Sequence, residues 1–113
     1  MSNQNKITYV ELPARDIPAT KAFFTSVFGW AFIDYGPDYA TFTGAGLNGG
    51  FYKSDLKAST DTGSALVVIY REDLEHSLET VKEEGGSIIK PIFDFPGGRR
   101  FHFGDTNGNE FAV

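Results

Sequence analysis

Val10-Glu-Leu-Pro-Ala-Arg-Asp16, with the run Ile17 to Trp30 that follows it, decides how this chain folds, because its pattern recurs 57 residues later around Asp73. Ile7 to Leu12 is rich in β-formers and reads as a strand. Asp16 then stands where a helix N-cap is wanted, with Pro18 tolerated in the first turn. Ile17, Thr20, Phe24, Val27 and Phe28 share one helical face, and Gly29 stops the helix. Working outward, Ala31 to Tyr35, Tyr39 to Thr43 and Gly50 to Lys53 read as short strands between Gly, Pro and Asn turns. The second half repeats that order. Ala65 to Tyr70 is an apolar strand, Asp73 an N-cap, Leu74, Leu78 and Val81 a helical stripe, and Gly85-Gly86 a stop. Ser87 to Phe93, Arg99 to Phe103 and Glu110 to Val113 follow as strands, joined by turn-rich segments at 94–98 and 105–109.

Val10 maps to Val67, Asp16 to Asp73, Thr20 to Ser77, Phe24 to Val81 and Gly29 to Gly86. Self-similarity of this kind indicates two tandem βαβββ units. The expected fold class is therefore α+β. One domain spans residues 1–113, with a first unit at about 7–53 and a second at about 65–113.

Composition bounds what such a domain does. The 113 residues carry 41% hydrophobic side chains, among them 11 Phe, 5 Tyr and 1 Trp, enough for a core and some aromatic surface. A net charge of -5 argues against nucleic acid and mildly for a cationic ligand, although acidity also serves solubility alone. With no Cys, there is neither a disulfide nor a thiolate. The polar start at 1–6 shows no apolar signal core, and no apolar run has the length of a membrane span. A cytoplasmic protein without membrane contact is the default expectation. The small size of the domain makes a homodimer plausible.

Two stretches resemble the vicinal oxygen chelate superfamily of glyoxalases, bleomycin-resistance proteins and extradiol dioxygenases. One is Val10 to Asp16 with Lys21 to Trp30, ending in Val-Phe-Gly-Trp. The other is His102-Phe-Gly-Asp-Thr-Asn-Gly-Asn-Glu-Phe-Ala-Val113, similar to that family's closing hairpin motif; Thr106 stands at its usual Pro. The resemblance implies a cup-shaped mixed sheet with helices on the outer face and the ligand on the concave one. It also implies activities ranging from isomerisation and ring cleavage to thiol transfer and antibiotic sequestration. Members usually hold a divalent metal. By the family pattern three ligand positions fall on Tyr9, Leu66 and Ala112, and the fourth strand region, 39–53, offers no His or Glu. Leu and Ala cannot ligate, and a neutral phenol is a poor ligand. No metal and no cofactor are therefore expected.

Strand alternation sends Val10 and Leu12 to the helix side and Tyr9 and Glu11 to the other face. Phe101 and Phe103 likewise belong to the core, with Arg100 and His102 opposite. The candidate ligand-binding set is Tyr9, Glu11, Leu66, Tyr70, Arg100, His102, Glu110 and Ala112, joined by Val68, with Trp30 and Tyr52 at the rim. This is an apolar floor with a few polar groups, as small-molecule sites have. His102, Glu11 and Glu110 are the catalytic candidates, since histidine ionises near neutral pH and paired carboxylates move protons. The plainer reading has His102 hydrogen-bonded to a glutamate, and a glutamate paired with Arg100. His76 falls off its helix's apolar stripe and reads as solvated. The pairs Gly49-Gly50 and Gly97-Gly98 open no helix, so they are turn or packing glycines rather than phosphate loops. The expectation is a metal-independent protein that binds or sequesters an aromatic or cationic small molecule. The alternative is a lyase, isomerase or transferase using His102 with Glu11 or Glu110, or a relocated metal.

Overall fold

The computed structural model of the chain describes residues 4–113. It divides into two compact units, the first running to Leu56 and the second from Lys57 to Val113. In the first, β1 (Tyr9–Ala14) leads to α1 (Ile17–Phe28), then β2 (Ala31–Asp34), β3 (Tyr39–Thr43) and β4 (Asn48–Lys53). In the second, β5 (Val67–Val68) leads to α2 (Leu74–Glu83), then β6 (Ser87–Phe95), β7 (Gly98–Gly104) and β8 (Glu110–Ala112). The strand orders are β1-β4-β3-β2 and β5-β8-β7-β6, so each unit builds its own four-stranded sheet with the same topology. In both, the first strand pairs in parallel with the last and the remaining pairs are antiparallel.

The repeat holds at the level of single hydrogen bonds. Asp16 caps α1 by accepting from the Ala19 amide at 3.0 Å, and Asp73 caps α2 by accepting from the His76 amide at 3.0 Å. Thr20 Oγ1 donates to the Asp16 carbonyl at 2.7 Å, and Ser77 Oγ donates to the Asp73 carbonyl at 2.8 Å. Gly29 ends α1 at φ 74, a left-handed conformation that glycine adopts without strain. α2 closes one residue earlier than Gly85-Gly86 suggests, with Glu84 as its cap and Gly85 supplying the positive φ.

Core formation follows from the helical stripes. α1 buries Ile17, Thr20, Phe23, Phe24 and Val27, so Phe23 takes the place expected for Phe28. Phe24 stacks on Trp30 at 4.8 Å, and Trp30 meets Phe42 at 4.7 Å, with Phe51 beside both phenylalanines. Trp30 is buried in this cluster and does not form a rim. In the second unit Leu74, Val81, Phe101, Phe103 and Phe111 form the core, with Phe103 stacked on Phe111 at 5.4 Å. Burial of each such ring contributes on the order of 2–3 kcal/mol.

The strand boundaries differ from the sequence reading for physical reasons. β1 sits two residues later than expected and leaves Ile7 exposed, because its partner β4 begins opposite Tyr9 at Asn48. Gly49 and Gly50 lie inside β4. A Cβ at Gly49 would collide with the Val10 carbonyl and the Phe42 ring, and one at Gly50 with the Tyr39 phenol. β5 shrinks to Val67–Val68, since it pairs only with Phe111 and Ala112 of the short β8. The β6–β7 hairpin lengthens to Phe95 and Gly98, leaving Pro96-Gly97 as its turn.

Candidate functional site

Register places the second unit's candidates on its sheet. Phe101, Phe103 and Phe111 occupy the core face; the alternating residues Arg100 and His102 of β7, and Glu110 and Ala112 of β8, occupy the other. His102 lies directly opposite Ala112, and Val68 of β5 is also paired with Ala112. Leu66, just before β5, is half-buried, while Tyr70 is 83% exposed beyond its end.

Glu110 and His102 form the most constrained polar group. Both are buried, and His102 Nδ1 lies 2.6 Å from Glu110 Oε2. The other carboxylate oxygen accepts from the Thr60 amide at 2.9 Å and from Thr60 Oγ1 at 2.8 Å. Burial opposes ionisation of Glu110, but hydrogen bonds from His102 and from Thr60 outweigh it and hold the pKa at about 2. The carboxylate is thus ionised and accepting, which puts the proton on Nδ1. Nε2 of His102 is buried and has no hydrogen-bond partner among the described residues. The Phe93 ring stands 5.6 Å from the imidazole. A histidine so held presents one nitrogen as a fixed acceptor, or donor when charged.

Thr60 escapes sequence reading, because it sits in a polar loop ahead of β5 with no periodicity. It is brought to Glu110 by the closing motif. Asp105 accepts from the Asn107 and Asn109 amides, both at 2.9 Å, and Asn109 Oδ1 accepts from the Ala58 amide at 2.8 Å. The Glu110 amide then donates to the Ala58 carbonyl at 2.7 Å. Burial pushes the Asp105 carboxyl up, against the opposing effect of those hydrogen bonds. Thus the Asp105-to-Asn109 motif has a structural role, tying the 57–60 loop to β8.

Arg100 does not pair with a glutamate. Its guanidinium carbon lies 5.6 Å from the Phe93 ring centre and 5.0 Å from that of Phe95. Cross-strand pairing of Phe93 with Arg100 creates this contact, a signal present in the alternation of the hairpin. Arg99 points to α2 and bonds Glu75 at 2.9 Å and 3.4 Å.

In the first unit, Tyr9 and Glu11 are exposed, and the half-buried Tyr39 lies beside them. Tyr39 Oη donates to Glu11 Oε2 at 2.9 Å and bonds the Tyr9 hydroxyl. Burial, then the bonds to Tyr9 and Glu11, push the Tyr39 phenol well above its usual range. Tyr52 is half-buried on β4. His76 is exposed on α2.

The model of the glyoxalase/bleomycin resistance protein/dioxygenase superfamily matches residues 6–113. This chain belongs to that superfamily. Solved members share the fold at low identity. A family enzyme from Burkholderia phytofirmans PsJN is 17% identical with a TM-score of 0.78, the match covering 95% of each chain. The fosfomycin resistance protein FosX of Listeria monocytogenes is 21% identical with a TM-score of 0.75, covering 96% of this chain and 90% of that one. Lactoylglutathione lyase of Agrobacterium tumefaciens is 16% identical with a TM-score of 0.72, covering 99% and 94%. A comparison with curated proteins returns no match.

The superfamily's divalent metal does not fit the side chains at its expected positions. Ala112 is wholly buried and has no donor atom, Leu66 has none either, and the Tyr9 phenol is bonded to Tyr39. Among the described residues, no three His, Asp or Glu side chains gather to hold an ion.

Proposed function

We propose that this superfamily member binds a small organic molecule without a chelated metal, through the face of the second sheet that bears Leu66, Val68, Tyr70, Arg100, His102, Glu110 and Ala112. The observation that carries the reading is the buried, unpartnered Nε2 of His102, oriented from behind by Glu110 and Thr60. Buried polar atoms in native proteins are nearly always satisfied, and a ligand's donor or acceptor supplies what the protein withholds. Exposed apolar surface at Val68 and Tyr70 suits an aromatic ligand body. Tyr9 and Glu11, bridged by Tyr39, offer a second aromatic and acidic patch on the first unit. On this reading the protein works in the cytoplasm as a homodimer.

Isothermal titration against aromatic compounds of both charges, with and without EDTA, tests the reading. Binding that survives EDTA and weakens at least about fivefold in His102→Ala is expected, since a buried hydrogen bond of this kind is worth about 1–3 kcal/mol. Silence across the panel, or binding lost to EDTA and restored by zinc, would overturn it.

A second reading has its own support in the Glu110–His102 geometry. An imidazole whose Nδ1–H is held by a carboxylate is the arrangement of a general base. A metal-free isomerase, lyase or transferase would take a substrate proton onto Nε2. Glu110 fills the partner role there, whereas Glu11 bonds Tyr39. Screening for His102-dependent exchange of substrate C–H with solvent deuterium distinguishes turnover from binding alone.

A further inference from the structure

We propose that the ligand of this face carries an anionic oxygen group, a carboxylate or a phosphate, and that Arg100 is its anchor. The inference deepens the binding reading above and rests on it. A groove of about 430 Å³ opens in the second unit between the end of β5 and the β6–β7 hairpin, with Val68, Tyr70, Arg71, Phe95 and Arg100 among its walls. Val68 is 56% and Tyr70 83% exposed, so the groove presents apolar surface next to a cation.

The state of Arg100 gives the groove its chemistry. Its guanidinium carbon lies over the Phe93 and Phe95 rings, which sit on one side of it, tilted 57° to each other with centres 6.4 Å apart. Aromatic rings attract the cation without using its N–H donors in hydrogen bonds. Among the described residues Arg100 makes no ion pair, and its Nε is buried without a hydrogen-bond partner. An oriented fork with vacant donors matches two oxygens of a carboxylate or phosphate. The other charges at the groove do not cancel it. Arg99 is already paired with Glu75. Glu72 lines the wall as an exposed carboxylate and works against the anion. The net charge of -5 favours cations at long range, but salt screens it beyond about 8–10 Å, so the vacant guanidinium decides the local preference.

Arg100 and His102 share one face of β7, two residues apart and therefore about 7 Å along the strand. Phe93 touches both. An aromatic acid with a polar group at its far end would place its anion on Arg100 and that group toward His102.

The test uses the full chain with benzoate, phenyl phosphate and benzylammonium as probes, read by titration and by the NMR signal of the Arg100 Nε–H. Benzoate or phenyl phosphate is expected to bind and move that signal, and the tighter of the two identifies carboxylate or phosphate as the preferred group. Arg100→Gln should weaken binding at least tenfold. Arg100→Lys keeps the charge without the planar fork and should weaken it several-fold, as should Phe95→Leu, which removes one of the two rings. The two milder variants serve if Arg100→Gln does not fold. Tighter binding of benzylammonium than of benzoate, or anion affinity untouched by all three substitutions, overturns the proposal while leaving small-molecule binding intact. If no probe of either charge binds and the broader aromatic panel is equally silent, the binding reading falls with it.

Discussion

Glu110 places one oxygen on Thr60 and the other on His102, and this division sets how the protein responds to acid. Its folded-state pKa of about 2 lies below the usual 4.5. A depressed carboxyl stabilises the fold fully above its unfolded value and ceases to do so as pH falls through the folded one. Stability from Glu110 is therefore expected to drain away between about pH 4.5 and pH 2. Asp105 acts in the opposite sense, because its raised pKa favours the fold as it takes up a proton. Urea denaturation across that range should show the wild type losing stability to acid more steeply than Glu110→Gln. At neutral pH the same substitution should cost on the order of 1–3 kcal/mol, since it weakens a buried charge-assisted bond. Equal acid slopes for the two proteins would remove Glu110 from this role. The sequence made the His102–Glu110 encounter legible, because strand alternation places both opposite the core phenylalanines. Thr60 was not legible, since nothing local in a polar loop says which strand it will meet.

At the scale of elements, the repeat makes a quantitative demand. If Asp16 and Asp73 are equivalent N-caps, each replaced by Ala should cost about 1 kcal/mol, within the spread usual for such caps. Denaturation midpoints of Asp16→Ala and Asp73→Ala measure this, and the two changes should add, because they lie in separate units. A cap that costs nothing in one unit would show that its helix is held by packing alone. Both caps could be read from sequence because an Asp just before an amphipathic stripe acts through local backbone geometry. Strand lengths resisted such reading. β5 has the composition of a six-residue strand, yet only Val67 and Val68 pair, because extent is set by the partner strand. Gly49-Gly50 read as either turn or packing glycines, and the packing reading holds: both lie in β4, where the neighbouring Val10 carbonyl and Tyr39 ring leave no room for a side chain.

For the whole molecule, the chain pattern gave the order of elements, and the pairing of its strands into two four-stranded sheets had to come from structure. Net charge was equally readable and equally coarse: -5 says nothing about the vacant guanidinium at Arg100. Association belongs to this scale. The chain is only 113 residues long, and small domains bury a low fraction of their surface. Strand β2 lies at the edge of the first sheet, with Ile33 51% exposed on it and Tyr35 63% exposed just after it. An edge strand with apolar side chains and unpaired backbone groups is a ready surface for another chain. A second copy is the occupant expected for it. Sedimentation equilibrium should therefore return about twice the 12.4 kDa chain mass. Ile33→Lys, which puts a charge on that edge, should shift the equilibrium toward monomer without lowering the monomer's own stability by more than about 0.5 kcal/mol, the usual limit for a surface change. A wild type that stays monomeric at all concentrations would leave β2 as a bare edge guarded only by its short length. A dimer indifferent to Ile33→Lys would place the contact on another surface.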